Sequence, residues 1–180
     1  MRGVRNMAST EENLKAAFSG ESMARNKYDY FAKQARKEGL IGVAMTFEET
    51  ALNEMQHAKD EFKLTGGLGD TKANLRAAIE GEHYETSEMY PSFASQADKD
   101  GNADASKLFR AVARVEAKHE ERYKKILARL EAGTLYKRDA PIEWKCSKCG
   151  YVHVGVEPPE KCPSCKHERG YYWPKNESDL

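Results

Sequence analysis

Through the first 132 residues, apolar positions return every three or four places, the spacing of one side of an α-helix. One such row is Ala105, Leu108, Val112, Glu116, His119, Tyr123, Ile126 and Leu130. Three more are Leu14, Phe18, Glu21, Tyr28, Ala35; then Ala44, Phe47, Ala51, Glu54, Ala58, Phe62; then Leu75, Ile79, Glu82, Glu85, Met89, Phe93. The rows break at GLIG (39–42), TGGLGDT (65–71) and DGNAD (100–104), where glycines suit helix C-caps and Thr71 and Asn102 suit N-caps. The pattern predicts helices over 10–38, 41–65, 72–100 and 103–132. Connections this short favour antiparallel neighbours in a four-helix bundle.

Each row turns at least one carboxylate toward the core, and the halves repeat. NLKAAFSGE at 13–21 matches NLRAAIEGE at 74–82, an offset of 61. FAKQARKEG at 31–39 matches FASQADKDG at 93–101, and Glu54-x-x-His57 matches Glu116-x-x-His119, both at 62. The offset is still 61 at Glu21/Glu82 and already 62 at Tyr28/Tyr90, so one residue is inserted between Glu82 and Tyr90. Helices absorb a single extra residue as a π-turn. Pro91 lies just beyond, where a missing backbone donor is tolerated in a disturbed ladder.

A lone Glu-x-x-His in a charged helix is a weak signal, since its bland reading is an exposed pair. Two copies on repeated helices, each inside an apolar row, are a strong one. Buried carboxylates without partners are costly, and several facing one another would have to stay protonated. Bound cations resolve this, and a Glu from each of two helices with Glu-x-x-His from each of the other two is the ferritin-like di-iron arrangement. Here those residues are Glu21, Glu82, Glu54/His57 and Glu116/His119. Carboxylates with imidazoles suit iron or manganese and admit zinc.

Composition narrows the partners. Lys plus Arg and Asp plus Glu each number 29, a balance that argues against nucleic acid or an anionic membrane. No run approaches the roughly 18 apolar residues that span a bilayer. The opening MRGVRNMAST lacks the apolar core of a signal peptide and reads as an extension over residues 1–9, so the cytoplasm is the expected compartment.

All four cysteines follow residue 145, spaced Cys146-x2-Cys149-x12-Cys162-x2-Cys165. In a reducing compartment this is a tetrahedral four-thiolate metal site rather than disulfides. A segment of about 40 residues buries too little surface to fold well alone, so the metal supplies folding energy. Spacing does not separate zinc from iron. Trp144, Tyr151, Tyr172 and Trp173 are expected to pack around the site, and His153 and His167 to lie on the surface. Residues 133–142 read as a linker between a bundle over 10–132 and a small domain over 143–180.

The segments GESMARNKYDYF, NEMQHA, GEHYETSEMYPSF and VEAKHE, followed by CSKCGY and CPSC, resemble the rubrerythrin family from about Thr10 to Trp173. The resemblance implies a mainly α protein, a ferritin-like four-helix bundle followed by a rubredoxin-like β domain. It implies a non-haem di-iron peroxidase that reduces hydrogen peroxide to two waters, with two irons in the bundle and one iron on Cys146, Cys149, Cys162 and Cys165. Electrons would come from NAD(P)H through a reductase, often by way of a separate rubredoxin. By the family pattern Glu54 and Glu116 bridge the irons. Glu21 and Glu85 belong to one iron with His57 beside it, and Glu82 and His119 hold the other. Tyr28 and Tyr90 hydrogen-bond to the carboxylates. Glu85, which has no counterpart in the first repeat, is expected to exchange with His57 on reduction. A homodimer is implied, with one chain's cysteine-bound iron near the other's di-iron site. Two other functions share these features in part: a ferroxidase or iron-handling protein, which has no need of the four-thiolate site, and a zinc-ribbon adaptor on a helical bundle.

Overall fold

The computed structural model describes residues 9–176, Ser178 and Leu180, so the expected extension over residues 1–9 lies largely outside the described residues. Two units carry the halves of the repeat, divided between Gly69 and Asp70. In the first, α1 (Thr10–Lys37) and α2 (Ile41–Leu64) form an antiparallel hairpin. In the second, α3 (Thr71–Tyr84), a π-turn (Glu85–Met89) and α4 (Tyr90–Lys99) make one long arm that packs on α5 (Ala103–Glu131). Among the described residues no helix is long and apolar enough to cross a membrane.

The helix ends follow local chemistry. Ser9 and Glu12 form a capping box at the start of α1, with the Ser9 hydroxyl accepting from the Glu12 amide and Glu12 accepting from the Ser9 amide. Asn102 caps α5 as expected, its side chain accepting from the Ala105 amide at 3.1 Å. Thr71 does not cap α3. The preceding Asp70 does, accepting from the Ala73 amide at 2.8 Å, because its extended backbone (ψ 171°) aims the carboxylate at the helix start while Thr71 is already inside it. The π-turn falls where the repeat demanded one extra residue, and Pro91 sits in the first turn of α4 beyond it.

Small residues let the helices approach closely. Ala32, Ala35, Ala44, Ala51 and Ala58 are buried in the first hairpin, and Ala94, Ala97 and Ser106 in the second. The repeat extends into the packing. Tyr28, Phe31 and Phe47 form an aromatic cluster that recurs, 62 residues on, as Tyr90, Phe93 and Phe109. An ion pair recurs with its signs exchanged: Arg36 grips Glu48 with two hydrogen bonds (2.9 and 2.7 Å), and Arg110 grips Asp98. Two apolar positions depart from the predicted inward rows, Phe93 at 45% exposed and Leu108 on α5. Leu108 is 59% exposed, while Glu120 is buried against α3, because α5 presents a second face to its partner arm.

After α5 the chain enters a three-stranded antiparallel sheet, order β2-β1-β3, of β1 (Ile142–Cys146), β2 (Val152–Gly155) and β3 (Tyr172–Pro174). Trp144, Cys146, Cys162 and Tyr172 form its core, and Tyr136 and Arg138 from the preceding segment pack on it, Arg138 lying over the Trp144 ring at 5.0 Å. Two of the aromatics expected inside are not. Tyr151 and Trp173 are more than a third exposed, the latter because strand alternation that buries Tyr172 turns its neighbour out. His153 and His167, expected on the surface, are half-buried; His167 packs edge-on against Tyr171 at 4.7 Å between centroids.

Candidate metal centres

In the first hairpin the inward face of α2 presents Glu54 and His57, one turn apart, opposite Glu21 of α1. One ligand atom from each lies within 4.8 Å of the others. His57 Nδ1 is 2.8 Å from Glu54 Oε2 and 3.9 Å from Glu21 Oε2. The carboxyl hydrogen bond between Glu21 and Glu54, then burial, then the charges of Glu54 and Glu61 raise the Glu21 pKa above the ordinary carboxylate range.

The second unit repeats the arrangement with Glu82 of α3 and Glu116 and His119 of α5, again within 4.8 Å. His119 Nδ1 is 2.7 Å from Glu116 Oε2 and 3.7 Å from Glu82 Oε2. Burial raises the Glu82 pKa, and the Glu116 charge adds to it. Two half-buried carboxylates crowding one imidazole in each unit are an arrangement that a cation relieves, by neutralising both acids and accepting the ring nitrogen. The donor set therefore fits a hard or borderline metal in each group.

Glu85 belongs to neither group; it opens the π-turn, close enough to Glu82 and Tyr90 for its charge to act on both. Burial, then the charges of Glu85, Glu116 and Glu82, raises the Tyr90 pKa, so its hydroxyl keeps its proton and serves as a donor. Tyr28, the repeat-mate of Tyr90, packs on Phe47 and Phe31. Two polar features escaped the sequence reading. Glu61, one turn beyond His57 on the same face, has a buried Oε2 with no hydrogen-bond partner among the described residues, and the repeat places Tyr123 at the matching position. Its i+7 spacing from Glu54 was the available signal. Glu120 ties α5 to α3, with His83 Nδ1 at 3.1 Å and Lys124 Nζ at 2.5 Å. Nothing in the charged run around it set Glu120 apart.

The four cysteines come from two matching turns. Cys146 closes β1, and its carbonyl accepts from Gly150 at 2.9 Å; the Cys162 carbonyl accepts from Lys166 at the same distance. Both donors have positive φ (81° and 63°), so Lys166 takes, at a modest steric cost, the left-handed place that glycine fills in the first turn. The sulfurs pair at 3.8 Å (Cys146–Cys165) and 3.6 Å (Cys149–Cys162), and all four lie within 4.8 Å. A disulfide is only about 2.05 Å long, whereas four thiolates at about 2.3 Å from a central ion stand about 3.8 Å apart. Burial opposes ionisation of Cys162, but the Cys165 amide and the Tyr172 hydroxyl outweigh it and bring the thiol down to about 6.

This pairing of a repeated Glu/His set with a four-thiolate turn pair matches two family models: rubrerythrin over residues 12–127, and the rubrerythrin rubredoxin-like domain over residues 144–172. The chain belongs to the rubrerythrin family. It is 46% identical to a protein from Methanocaldococcus jannaschii that carries the rubrerythrin name, over 94% of each chain. It is 41% identical to the rubrerythrin of Nitratidesulfovibrio vulgaris, covering 91% of this chain and 92% of that one. The solved structure of partially reduced nigerythrin aligns with 96% of this chain and 90% of its own at 34% identity, with a TM-score of 0.37. Rubrerythrin membership gives the ferritin-like and rubredoxin-like fold class and a redox enzyme with a rubrerythrin-type di-iron site and a four-cysteine site.

Proposed function

We propose that this chain reduces hydrogen peroxide to two waters, taking two electrons and two protons per turnover. The observation that carries the reading is the presence in one chain of two Glu/Glu/His groups and a four-thiolate site. Two ferrous ions held by the helical groups would supply the two electrons, one each, to the O–O bond. Glu21, Glu54, Glu82 and Glu116 hold the positive charge in place, and His57 and His119 complete the ligand set. Tyr90 keeps its proton and offers its O–H as a hydrogen-bond donor beside Glu85, and Glu85, free of either group, has a carboxylate to receive and pass on protons.

Cys146, Cys149, Cys162 and Cys165 would hold an iron that supplies one-electron transfer, with a rubredoxin or an NAD(P)H-dependent reductase as the source of electrons. The working form in this reading is a cytoplasmic homodimer. The deciding experiment is anaerobic mixing of the fully reduced, iron-loaded protein with peroxide or with oxygen. Rapid oxidation by a stoichiometric amount of peroxide, with oxygen far slower, is expected. Faster oxidation by oxygen, with iron released or stored, would establish the ferroxidase reading instead. A colourless four-cysteine site loaded with zinc would leave the adaptor reading.

A further inference from the structure

The stretch between α5 and β1 reads in sequence as a linker, yet hydrogen bonds run through it from one end to the other. α5 ends in a Schellman motif: Gly133, at φ 69°, donates its amide to the Leu130 carbonyl, and Thr134 donates to Arg129 at 2.8 Å. The Lys137 amide then reaches the Thr134 carbonyl at 3.0 Å. The Arg138 amide donates to the Val156 carbonyl, just past β2, at 2.9 Å. Its guanidinium turns back, with Nη1 shared among the carbonyls of Thr134, Leu135 and Lys137 at 3.2, 3.3 and 2.7 Å. The same group lies over the Trp144 ring, 5.0 Å from its centroid, and Trp144 is fully buried with its indole N–H on the Gly155 carbonyl at 2.9 Å. One side chain, itself 9% exposed, thus touches both the turn that continues α5 and the core that holds Cys146 and Cys162. Burying a cation is costly unless its hydrogen bonds are met, and a free tether would have no use for one.

We infer that Arg138 is the clamp of a rigid bracket that fixes the four-cysteine domain to the end of α5. Two contacts make it stiff: the planar guanidinium lies over an indole that is itself held, and Nη1 spans three carbonyls at once. A lysine in that place would keep the charge but lose the planar fork. The use of the bracket rests on the reading of the four-thiolate site as an electron carrier. It keeps that site at one separation from Glu116 and His119, which α5 carries on earlier turns.

The test is Arg138→Met in the full chain, with Lys137→Met, an exposed neighbour, as control. Zinc in the four-cysteine site makes that site silent in redox and suited to nuclear magnetic resonance. In the wild type, the amides of β1, β2 and β3 should report the same tumbling time as those of α5. In Arg138→Met they should report a shorter one, and the Thr134 and Lys137 amides should exchange with solvent about tenfold faster or more. Lys137→Met should match the wild type. Arg138→Lys, the milder change, should move both readings the same way by less, and it decides the matter where Arg138→Met does not fold. A small domain that tumbles apart from α5 in the wild type overturns the bracket. One that still tumbles with α5 in both Arg138 variants overturns the role of Arg138. None of these readings involves peroxide, so their failure is separate from failure of the proposed activity. With iron in place, re-reduction of the oxidised helical part by an external one-electron donor should slow about tenfold in Arg138→Met. An unchanged rate beside a freely tumbling small domain would overturn the use assigned to the bracket.

Discussion

His119 Nδ1 lies 2.7 Å from Glu116 Oε2, one helical turn away on α5, and His57 holds the same relation to Glu54 on α2 at 2.8 Å. Each pair is a candidate metal-binding unit made by local helix geometry, with a third carboxylate brought by the neighbouring helix. Glu116→Ala should therefore cost at least about tenfold in affinity at one of the two helical metal positions. Titration of the metal-free protein with cobalt or zinc, read by calorimetry, checks this. Two undiminished binding events would argue against Glu116 as a ligand.

The four-cysteine turns are built from their own strands and hydrogen bonds, distinct from the helical ligand sets. The double variant Cys149→Ser, Cys165→Ser should lose the visible colour of the small domain. It should keep two metals in the helical part, and peroxide should still oxidise that part once after chemical reduction. Metal analysis and a single-turnover stopped-flow trace measure both, and loss of the helical metals would show that the two centres assemble together.

Glu85 stands outside both ligand groups, beside Tyr90. Glu85→Ala should bind the full complement of metal and lower peroxide turnover by about 100-fold, the scale of a lost proton-transfer group. Tyr90→Phe should act in the same direction. Turnover at the wild-type rate in Glu85→Ala would remove this residue from the mechanism.

Glu21 and Glu82 titrate above the ordinary value of 4.5, Glu21 chiefly through its hydrogen bond to Glu54 and Glu82 chiefly through burial. A carboxyl whose folded pKa is raised penalises the fold above that pKa, and the penalty fades as pH falls toward 4.5. The metal-free protein should thus melt at higher temperature at pH 5.5 than at pH 7.5, and this gain should shrink in Glu82→Gln. The metal-bound protein should show the opposite slope, because protons compete with the metal. The carboxyls that ion pairs hold low, such as Asp98 with Arg110 and Ser106, contribute stability that is lost only as pH falls through their own lower values. Melting curves of both forms across this range decide the matter.

Helix spacing, glycine stops and an internal repeat were enough to place the helices within a residue or two and to locate the π-turn, since all depend on neighbours along the chain. The Glu-x-x-His pairs and the cysteine spacing were legible for the same reason: each ligand pair is a local geometric unit. What sequence order alone did not decide was packing between distant segments. Asp70 in place of Thr71 as the cap, the outward turn of Leu108 and Trp173, and the half-burial of His167 each depended on a backbone angle or a neighbour that the row of letters does not carry. The same holds for the sign-exchanged ion pairs, for Glu120 held between His83 and Lys124, and for the burial of Tyr172 in the core with Trp144, Cys146 and Cys162. Charged and aromatic side chains acquire such roles only when folding brings a particular partner within a few ångströms, and that proximity belongs to the tertiary structure.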